Sequence, residues 1–193
     1  MSAPRVVIMC RYPESGKAKT RLIPALGPCG AAEMHKILAE RTVATVRQSG
    51  LPFTLWGTGG GEEQFTQWLG DLTFKDQPDG DLGERLLAAA EAYPVIFLGT
   101  DIPDLNSDHL KQAANALADG EAVIGPAADG GYWLLGLPQP ADDLFSGIDW
   151  GTETVYATTR SKMDALGIEP VILEELHDLD RPEDLERWPD LRP

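Results

Sequence analysis

A single loop concentrates positive charge in an otherwise acidic protein. Segment 11–21 carries four cations against Glu14 alone, for a local charge of 4 − 1 = +3: Arg11, Lys17, Lys19 and Arg21. The whole chain has 16 Lys+Arg and 31 Asp+Glu, for a formal charge of −15. Cations and backbone N–H groups suit a bound phosphate, although the spacing is not that of a phosphate-loop ATPase. The alternative interpretation is a solvated loop that forms surface ion pairs.

Two acidic positions are candidate metal ligands. Asp101 follows a strongly apolar run, 94–98, and Asp180 precedes a proline that can open the last helix. Mg²⁺ is usually held by one or two carboxylates together with substrate phosphates. We therefore expect Asp101 to hold Mg²⁺ or Mn²⁺ and Asp180 to be able to assist it. The alternatives are a turn or cap role for Asp101 and favourable charge at a helix start for Asp180.

The segment 129–133 combines a carboxylate, two glycines and two aromatic residues: Asp129, Gly130, Gly131, Tyr132 and Trp133. This combination suits a sugar or a base that lies over a close backbone approach. Asp129 is also a candidate general base. A plain hairpin turn with core aromatics explains the same residues.

The segment 77–85 offers groups that could bind a nucleobase or ribose: Gln77, Gly80, Asp81, Gly83 and Arg85. Asp79 and Asp81 also have the D-x-D spacing found in many sugar-nucleotide enzymes. Asp and Gly are equally the usual turn residues, so the spacing alone is weak evidence.

These segments lie between short apolar runs and segments with helical periodicity, a pattern that predicts an α/β fold with a mainly parallel sheet. We predict strands at 6–9, 52–56, 72–74, 94–98, 122–124, 132–137 and 170–173, with 132–137 reversed in direction. We predict helices at 31–47, 62–69, 82–93, 107–117 and 153–166, with Ser107 as the N-cap of the fourth, and a last short helix opened by Pro182. No linker divides the chain, so we expect one domain over 1–193.

Composition excludes several classes of function. The charge of −15 argues against a nucleic-acid polymer or an anionic membrane as partner. No apolar stretch approaches the roughly 18 residues of a membrane span, so no membrane insertion is expected. Cys10 and Cys29 lack metal-ligand spacing and suggest no disulfide framework. We expect a cytoplasmic protein.

Six motifs, in order over nearly the whole chain, resemble the bacterial glycosyltransferases associated with arsenosugar biosynthesis. They are VIMCRYPESGKAKTRL, QPDGDLGER, GTDIPDL, GPAADGGYWLLG, WGT at Trp150–Thr152 and DLDRPEDL. That family belongs to the nucleotide-diphospho-sugar transferase superfamily, with the GT-A fold, which also includes guanylyltransferases. The resemblance implies a Rossmann-like single domain that binds a nucleotide phosphate group.

The resemblance also implies roles for individual residues. Arg11, Lys19 and Arg21 would contact nucleotide phosphates, Asp101 would hold the metal with help from Asp180, and the 77–85 loop would bind the nucleotide. The 129–131 turn would face the acceptor, near Trp150. The sequence departs from the pattern in two places. Ile102 and Pro103 follow Asp101, whereas typical glycosyltransferases have a second aspartate in a D-x-D motif; in this the chain resembles the guanylyltransferases. Arg181 replaces the usual Thr or Ser before Pro182.

Two reactions fit these groups. The first is sugar transfer from a nucleotide sugar to a small-molecule acceptor, with the metal and the basic loop neutralising the diphosphate leaving group. The second is nucleotidyl transfer from a nucleoside triphosphate to a small phosphorylated acceptor, with release of pyrophosphate. A non-catalytic nucleotide sensor is a third possibility. We favour sugar transfer because of the family resemblance, although the residues alone slightly favour nucleotidyl transfer.

Overall fold

The computed structural model describes residues 3–191, which form one seven-stranded sheet with α-helices on both faces. The strands are β1 Arg5–Arg11, β2 Phe53–Thr58, β3 Phe74–Asp76, β4 Val95–Leu98, β5 Val123–Pro126, β6 Tyr132–Leu137 and β7 Val171–Ile172. Their order in the sheet is β3-β2-β1-β4-β6-β5-β7. β6 is antiparallel to β4 and β5, and the other neighbouring pairs are parallel. The predicted α/β class and the reversed strand are confirmed.

The α-helices are α1 Ile23–Ser49, α2 Glu62–Leu69, α3 Leu82–Ala89, α4 Ser107–Ala118 and α5 Val155–Ala165. Alternating strand residues separate two cores. In β1, Val6 and Ile8 pack with α1, α2 and α4, whereas Val7 packs with α3 and α5. The sheet is therefore buried on both faces, which explains why its central strands are continuous apolar runs.

Three predicted helix boundaries are wrong. α1 begins eight residues before the predicted 31, with a kink at Gly27, whose φ of 70° is outside the helical region. α3 ends at Ala89 rather than at 93, consistent with the disfavouring of helical backbone before Pro94. The N-cap of α4 is Asn106, not Ser107, because the Asn106 side chain accepts the N–H groups of Asp108 and His109.

A third core cluster fixes the C-terminal segment beside the basic loop. Leu179 and Leu185 pack with Leu22 and with Met34 and Leu38 of α1. The backbone N–H of Leu179 also donates to the carbonyl of Asp101, at 2.9 Å. These contacts bring three distant segments of the chain together at the carboxyl ends of β1 and β4.

Candidate functional site

The basic loop turns Lys19 towards the protein interior. The backbone N–H of Lys17 donates to the Glu14 carbonyl at 3.0 Å, and Lys19 adopts φ 47° and ψ 45° before a 3-10 helix, Thr20–Leu22. A left-handed conformation is uncommon for a residue with a β-carbon and is often found at functional sites. The loop therefore holds Lys19 in a defined, slightly strained position.

The Lys19 ammonium has a partner for each of its three N–H donors. Nζ lies 2.6 Å from Asp101 Oδ1, 2.7 Å from the Leu179 carbonyl oxygen and 3.3 Å from Asp180 Oδ1. The side chain is only 4% exposed. Burial alone would lower the pKa of Lys19, but Asp101 and Asp180 raise it above its ordinary value. Lys19 therefore remains charged inside the protein.

Asp180 connects two cations of the loop. Its Oδ1 accepts from Lys19 and its Oδ2 accepts from Arg21 Nη1 at 2.5 Å. Burial opposes ionisation, but Lys19 and Arg21 outweigh it and hold the pKa of Asp180 below its usual value. The backbone around Asp180 is held by Asp184, whose Oδ2 accepts the N–H groups of Asp180 and Arg181. The last helix, a 3-10 helix over Pro182–Glu186, is capped in this way without a Thr or Ser before its proline.

These groups line a cavity of about 350 Å³, which we call the basic cavity. Its lining residues are Arg11, Ala18, Lys19, Thr20, Arg21, His35, Asp101 and Asp180. His35 Nε2 lies 2.7 Å from the carbonyl oxygen of Arg11, so this nitrogen must carry the proton. Burial lowers the pKa of His35, which leaves the imidazole neutral. The cavity thus combines three cations with two carboxylates.

Lys17 lies outside the basic cavity. Its side chain is 61% exposed and pairs with Glu14 at 2.8 Å. Such an exposed pair contributes little to stability. Of the predicted phosphate-binding cations, the structure brings Arg11, Lys19 and Arg21 together and leaves Lys17 on the surface.

A second cavity, of about 390 Å³, adjoins the first, and we call it the aromatic cavity. Its wall includes Phe97, Tyr132, Trp133 and Trp150, together with Leu82 and Leu86 of α3. Its carboxylates are Asp101, Asp129, Asp178 and Asp180. Arg21, Asp101 and Asp180 line both cavities, so the two share a wall.

The local structure of the turn at Asp129 explains why Asp129 and Gly130 occupy their positions. Asp129 Oδ1 accepts the backbone N–H of Gly131 at 2.8 Å. Gly130 has φ +88°, and a β-carbon there would lie 2.2 Å from the carbonyl oxygen of Glu153. Only glycine fits this position. The turn nevertheless places Asp129, Gly131 and Tyr132 on the wall of the aromatic cavity, as the acceptor prediction requires.

One buried polar atom beside the aromatic cavity has no partner within residues 3–191, namely Trp150 Nε1, whereas the buried Tyr132 hydroxyl faces Thr159. Buried polar groups are nearly always hydrogen-bonded, so an unpaired one needs an explanation. Asp178, in the same wall, has its pKa raised to about 6, first by burial and then by the nearby charge of Asp129. Such unpaired and perturbed groups are typical of ligand sites.

The 77–85 loop is held mainly by its own polar groups. Gln77 Nε2 donates to the Trp56 carbonyl at 2.8 Å, and Arg85 Nη1 donates to Gln77 Oε1 at 3.4 Å. Asp81 is the N-cap of α3, so helix capping accounts for this residue of the Asp79-x-Asp81 pair. Gly80 has φ +120°, and a β-carbon at Gly83 would lie 2.5 Å from the Phe145 carbonyl oxygen. The loop's predicted nucleotide contacts stay a prediction.

The two metal-ligand candidates, Asp101 and Asp180, have the donor type of a magnesium site, but the Lys19 ammonium lies between them in this structure. No cluster of three or more His, Cys, Asp or Glu side chains able to hold a metal occurs in the described part of the chain. Asp101 and Asp180 nevertheless share Lys19 Nζ as a common partner, so their carboxylates face one point. Asp101 is 49% exposed and only its Oδ1 is paired among residues 3–191. Two carboxylates with room for phosphate oxygens are the donor set that Mg²⁺ prefers.

Sequence reasoning missed three members of the site. Asp178 had a signal, because it stands in the same acidic motif as Asp180. His35 lies within α1, and nothing in the sequence except its residue type indicated a role in the site. The Leu179 carbonyl has no sequence signal at all, since any residue carries one.

Residues 39–152 match the family described as "Uncharacterized protein conserved in bacteria (DUF2064)". The chain belongs to this family. A search of curated proteins found no match. No helix in the described range 3–191 has the length and apolar character of a membrane span.

Among solved structures, this chain resembles a protein from Desulfovibrio desulfuricans G20 described as a "putative nucleotide-diphospho-sugar transferase". The identity is 33% and the TM-score 0.86, over 94% of this chain and 84% of that one. More distant likenesses show the fold alone. One is CMP:2-keto-3-deoxy-manno-octonic acid synthetase with CTP, at 13% identity and TM-score 0.56, over 98% of both chains. Another is glucosyl-3-phosphoglycerate synthase from Mycobacterium tuberculosis with Mn²⁺ and UDP, at 13% identity and TM-score 0.54, over 96% and 75%.

This chain therefore has the fold of nucleotide-diphospho-sugar transferases and nucleotidyltransferases. These likenesses agree with an enzyme of the transferase class. The superfamily part of the sequence resemblance is confirmed.

Proposed function

We propose that this protein is a metal-dependent glycosyltransferase that moves a sugar from a nucleotide-diphospho-sugar to a small-molecule acceptor in the cytoplasm. The observation that carries the proposal is the shared wall of the two cavities. Arg21, Asp101 and Asp180 line both a cation-rich cavity and an aromatic, carboxylate-rich one. A sugar nucleotide has the same two halves, an anionic diphosphate joined to a neutral sugar.

The basic cavity suits the diphosphate. Arg11 and Arg21 would bind its oxygens and neutralise the charge that develops as the bond to the sugar breaks. Asp101 and Asp180 would hold Mg²⁺ or Mn²⁺, which as a Lewis acid would add to this neutralisation. A transferred sugar would lie against Tyr132 or Trp150, because aromatic faces and carboxylates suit the apolar faces and hydroxyl groups of a sugar.

The acceptor hydroxyl would attack the anomeric carbon as the carbon–oxygen bond to the diphosphate breaks. In an inverting reaction, a carboxylate must take the proton of the attacking hydroxyl. Asp129 is our candidate because it lines the aromatic cavity and is exposed.

Nucleotidyl transfer is the second candidate. Ile102 and Pro103 after Asp101, in place of a D-x-D partner, favour it. The aromatic cavity argues against the phosphorylated acceptor that this reaction would use. Its charged lining is four carboxylates against Arg21, which already pairs with Asp180. An anionic acceptor would meet repulsion there.

A product assay distinguishes these reactions. The protein is incubated with Mg²⁺ or Mn²⁺ and a panel of sugar nucleotides or nucleoside triphosphates, and the released phosphate species is identified. Release of nucleoside diphosphate from a sugar nucleotide supports the proposal if it is lost in Asp101→Asn and retained in Asp119→Asn, a control at an exposed aspartate that lines neither cavity. Pyrophosphate from a triphosphate would establish nucleotidyl transfer instead, and release of neither would indicate a nucleotide sensor.

A further inference from the structure

Lys19 lies between the two carboxylates that are proposed to hold the metal. Its Nζ is 2.6 Å from Asp101 Oδ1 and 3.3 Å from Asp180 Oδ1. The third N–H donates to the Leu179 carbonyl, at 2.7 Å. An ammonium group has three donors and no acceptor, so Lys19 has no N–H left for another ligand.

This arrangement is incompatible with two of the roles assigned above, unless Lys19 moves. A divalent cation bound by Asp101 and Asp180 would lie at contact distance from the ammonium, and like charges at that distance repel strongly. A phosphate could accept from Lys19 only if Lys19 gave up a present partner. Both roles require the same movement, namely the departure of the ammonium from the carboxylates.

The basic cavity provides a place for the displaced ammonium. Lys19 lines this cavity of about 350 Å³ together with Arg11, Thr20 and His35. Because the Lys19 side chain already lines the cavity, rotation about its side-chain bonds is the movement that the proposal requires. Phosphate oxygens there would replace the carboxylates as acceptors, so the charge would stay paired.

We propose that Lys19 is an exchangeable internal cation that closes the metal site until a nucleotide diphosphate arrives. When phosphates enter the basic cavity, the ammonium leaves Asp101 and Asp180 for the phosphate oxygens, and the carboxylates become available to a divalent cation. The protein then takes its metal as a complex with the nucleotide and binds the free ion poorly. This inference rests on the proposed function, which assigns the metal and the diphosphate to this site.

The test measures binding of Mn²⁺ alone, by the electron paramagnetic resonance signal of the free ion. Lys19→Met removes the ammonium and keeps an apolar stem of similar length. Lys17→Met removes an exposed cation of the same loop that contacts neither Asp101 nor Asp180, and is the matched control. We expect Lys19→Met to bind Mn²⁺ at least tenfold more tightly than the wild type, and Lys17→Met to match the wild type. Equal affinity in all three proteins would overturn the proposal.

A measurement on the wild type keeps the proposal testable if Lys19→Met folds poorly. Lysine residues are labelled with an amine-reactive reagent at increasing Mg²⁺, and each site is quantified by peptide mass spectrometry. We expect labelling of Lys19 to rise with Mg²⁺ and to fall again when inorganic pyrophosphate is added, while labelling of Lys17 stays constant. A Lys19 that stays unlabelled in protein shown by calorimetry to have bound Mg²⁺ would contradict the exchange, and so would a Lys19 that is labelled readily in the ligand-free protein. Neither measurement involves a sugar nucleotide, so failure of the glycosyltransferase proposal is detected separately, by the product assay.

Discussion

Replacement of Asp178 by asparagine should stabilise the protein, and the gain should depend on pH. Burial and the charge of Asp129 raise the pKa of Asp178 from 3.8 to about 6 in the folded state. Between these two values the folded protein retains a proton that the unfolded chain has lost, so stability falls as the pH rises. The penalty is complete above pH 6 and absent below pH 3.8, and Asp178→Asn removes it.

The size of the effect follows from the pKa difference. At 1.36 kcal/mol per pKa unit, a shift of this size corresponds to roughly 3 kcal/mol. Asp178 is only half-buried, and solvent screening reduces the expected gain to about 1 kcal/mol at neutral pH. For a domain of this size, that gain raises the melting temperature by about 2–4 °C.

Thermal unfolding followed by circular dichroism at pH 7.5 and again near pH 4 checks this prediction. Asp79→Asn is the matched control, because Asp79 is an exposed aspartate on the loop before α3. We expect Asp178→Asn to melt higher than the wild type at pH 7.5 and at nearly the same temperature near pH 4. A melting temperature equal to or below the wild type at pH 7.5 would refute the reasoning.

Two further substitutions test the packing of the site by thermal melts. Gly130→Ala should destabilise the fold by more than about 2 kcal/mol, because its β-carbon would lie 2.2 Å from the Glu153 carbonyl oxygen. Gly147→Ala, also at positive φ but with open space around it, should cost only about 1 kcal/mol, and equal losses would contradict the packing argument. Asp180→Asn should cost about 1–2 kcal/mol, since Lys19 and Arg21 both lose a charged partner. A loss as small as that of Glu14→Gln, which breaks an exposed pair in the same loop, would show that the Asp180 contacts are not stabilising.

The sheet and the position of the site could be predicted from the sequence because both depend on local patterns. Apolar runs such as Val95–Leu98 become buried strands, and a polar residue just after such a run lies at the carboxyl edge of a parallel sheet. This reasoning placed Asp101 and the basic loop at one edge, where the structure has them. Helix ends were less predictable, because the N-cap of α4 depended on which of two neighbouring polar residues reached the backbone.

The detailed contacts could not be predicted because they join distant parts of the chain. Lys19 and Asp180 are 161 positions apart, and their contact depends on the packing of Leu179 and Leu185 against α1. Burial of the Lys19 ammonium follows from that packing, and no property of the loop sequence indicates it. The raised pKa of Asp178 likewise depends first on its burial and then on the charge of Asp129, and both act only in the folded protein.

Arg11, Lys19 and Arg21 lie beside the proposed metal ligands Asp101 and Asp180, and we propose that together they bind a polyphosphate. The most direct test is a thermal-shift measurement of the wild type, Asp101→Asn and Arg11→Ala with UDP, GDP, CDP, ADP and dTDP, each with and without Mn²⁺. At about 100 times its dissociation constant, a true ligand adds nearly 3 kcal/mol of stability. We predict that one diphosphate stabilises the wild type more with Mn²⁺ than without, that Asp101→Asn loses the metal-dependent part, and that Arg11→Ala weakens both parts. An Asp101→Asn protein that keeps the full Mn²⁺-dependent shift, or a wild type that no diphosphate stabilises, would contradict the account.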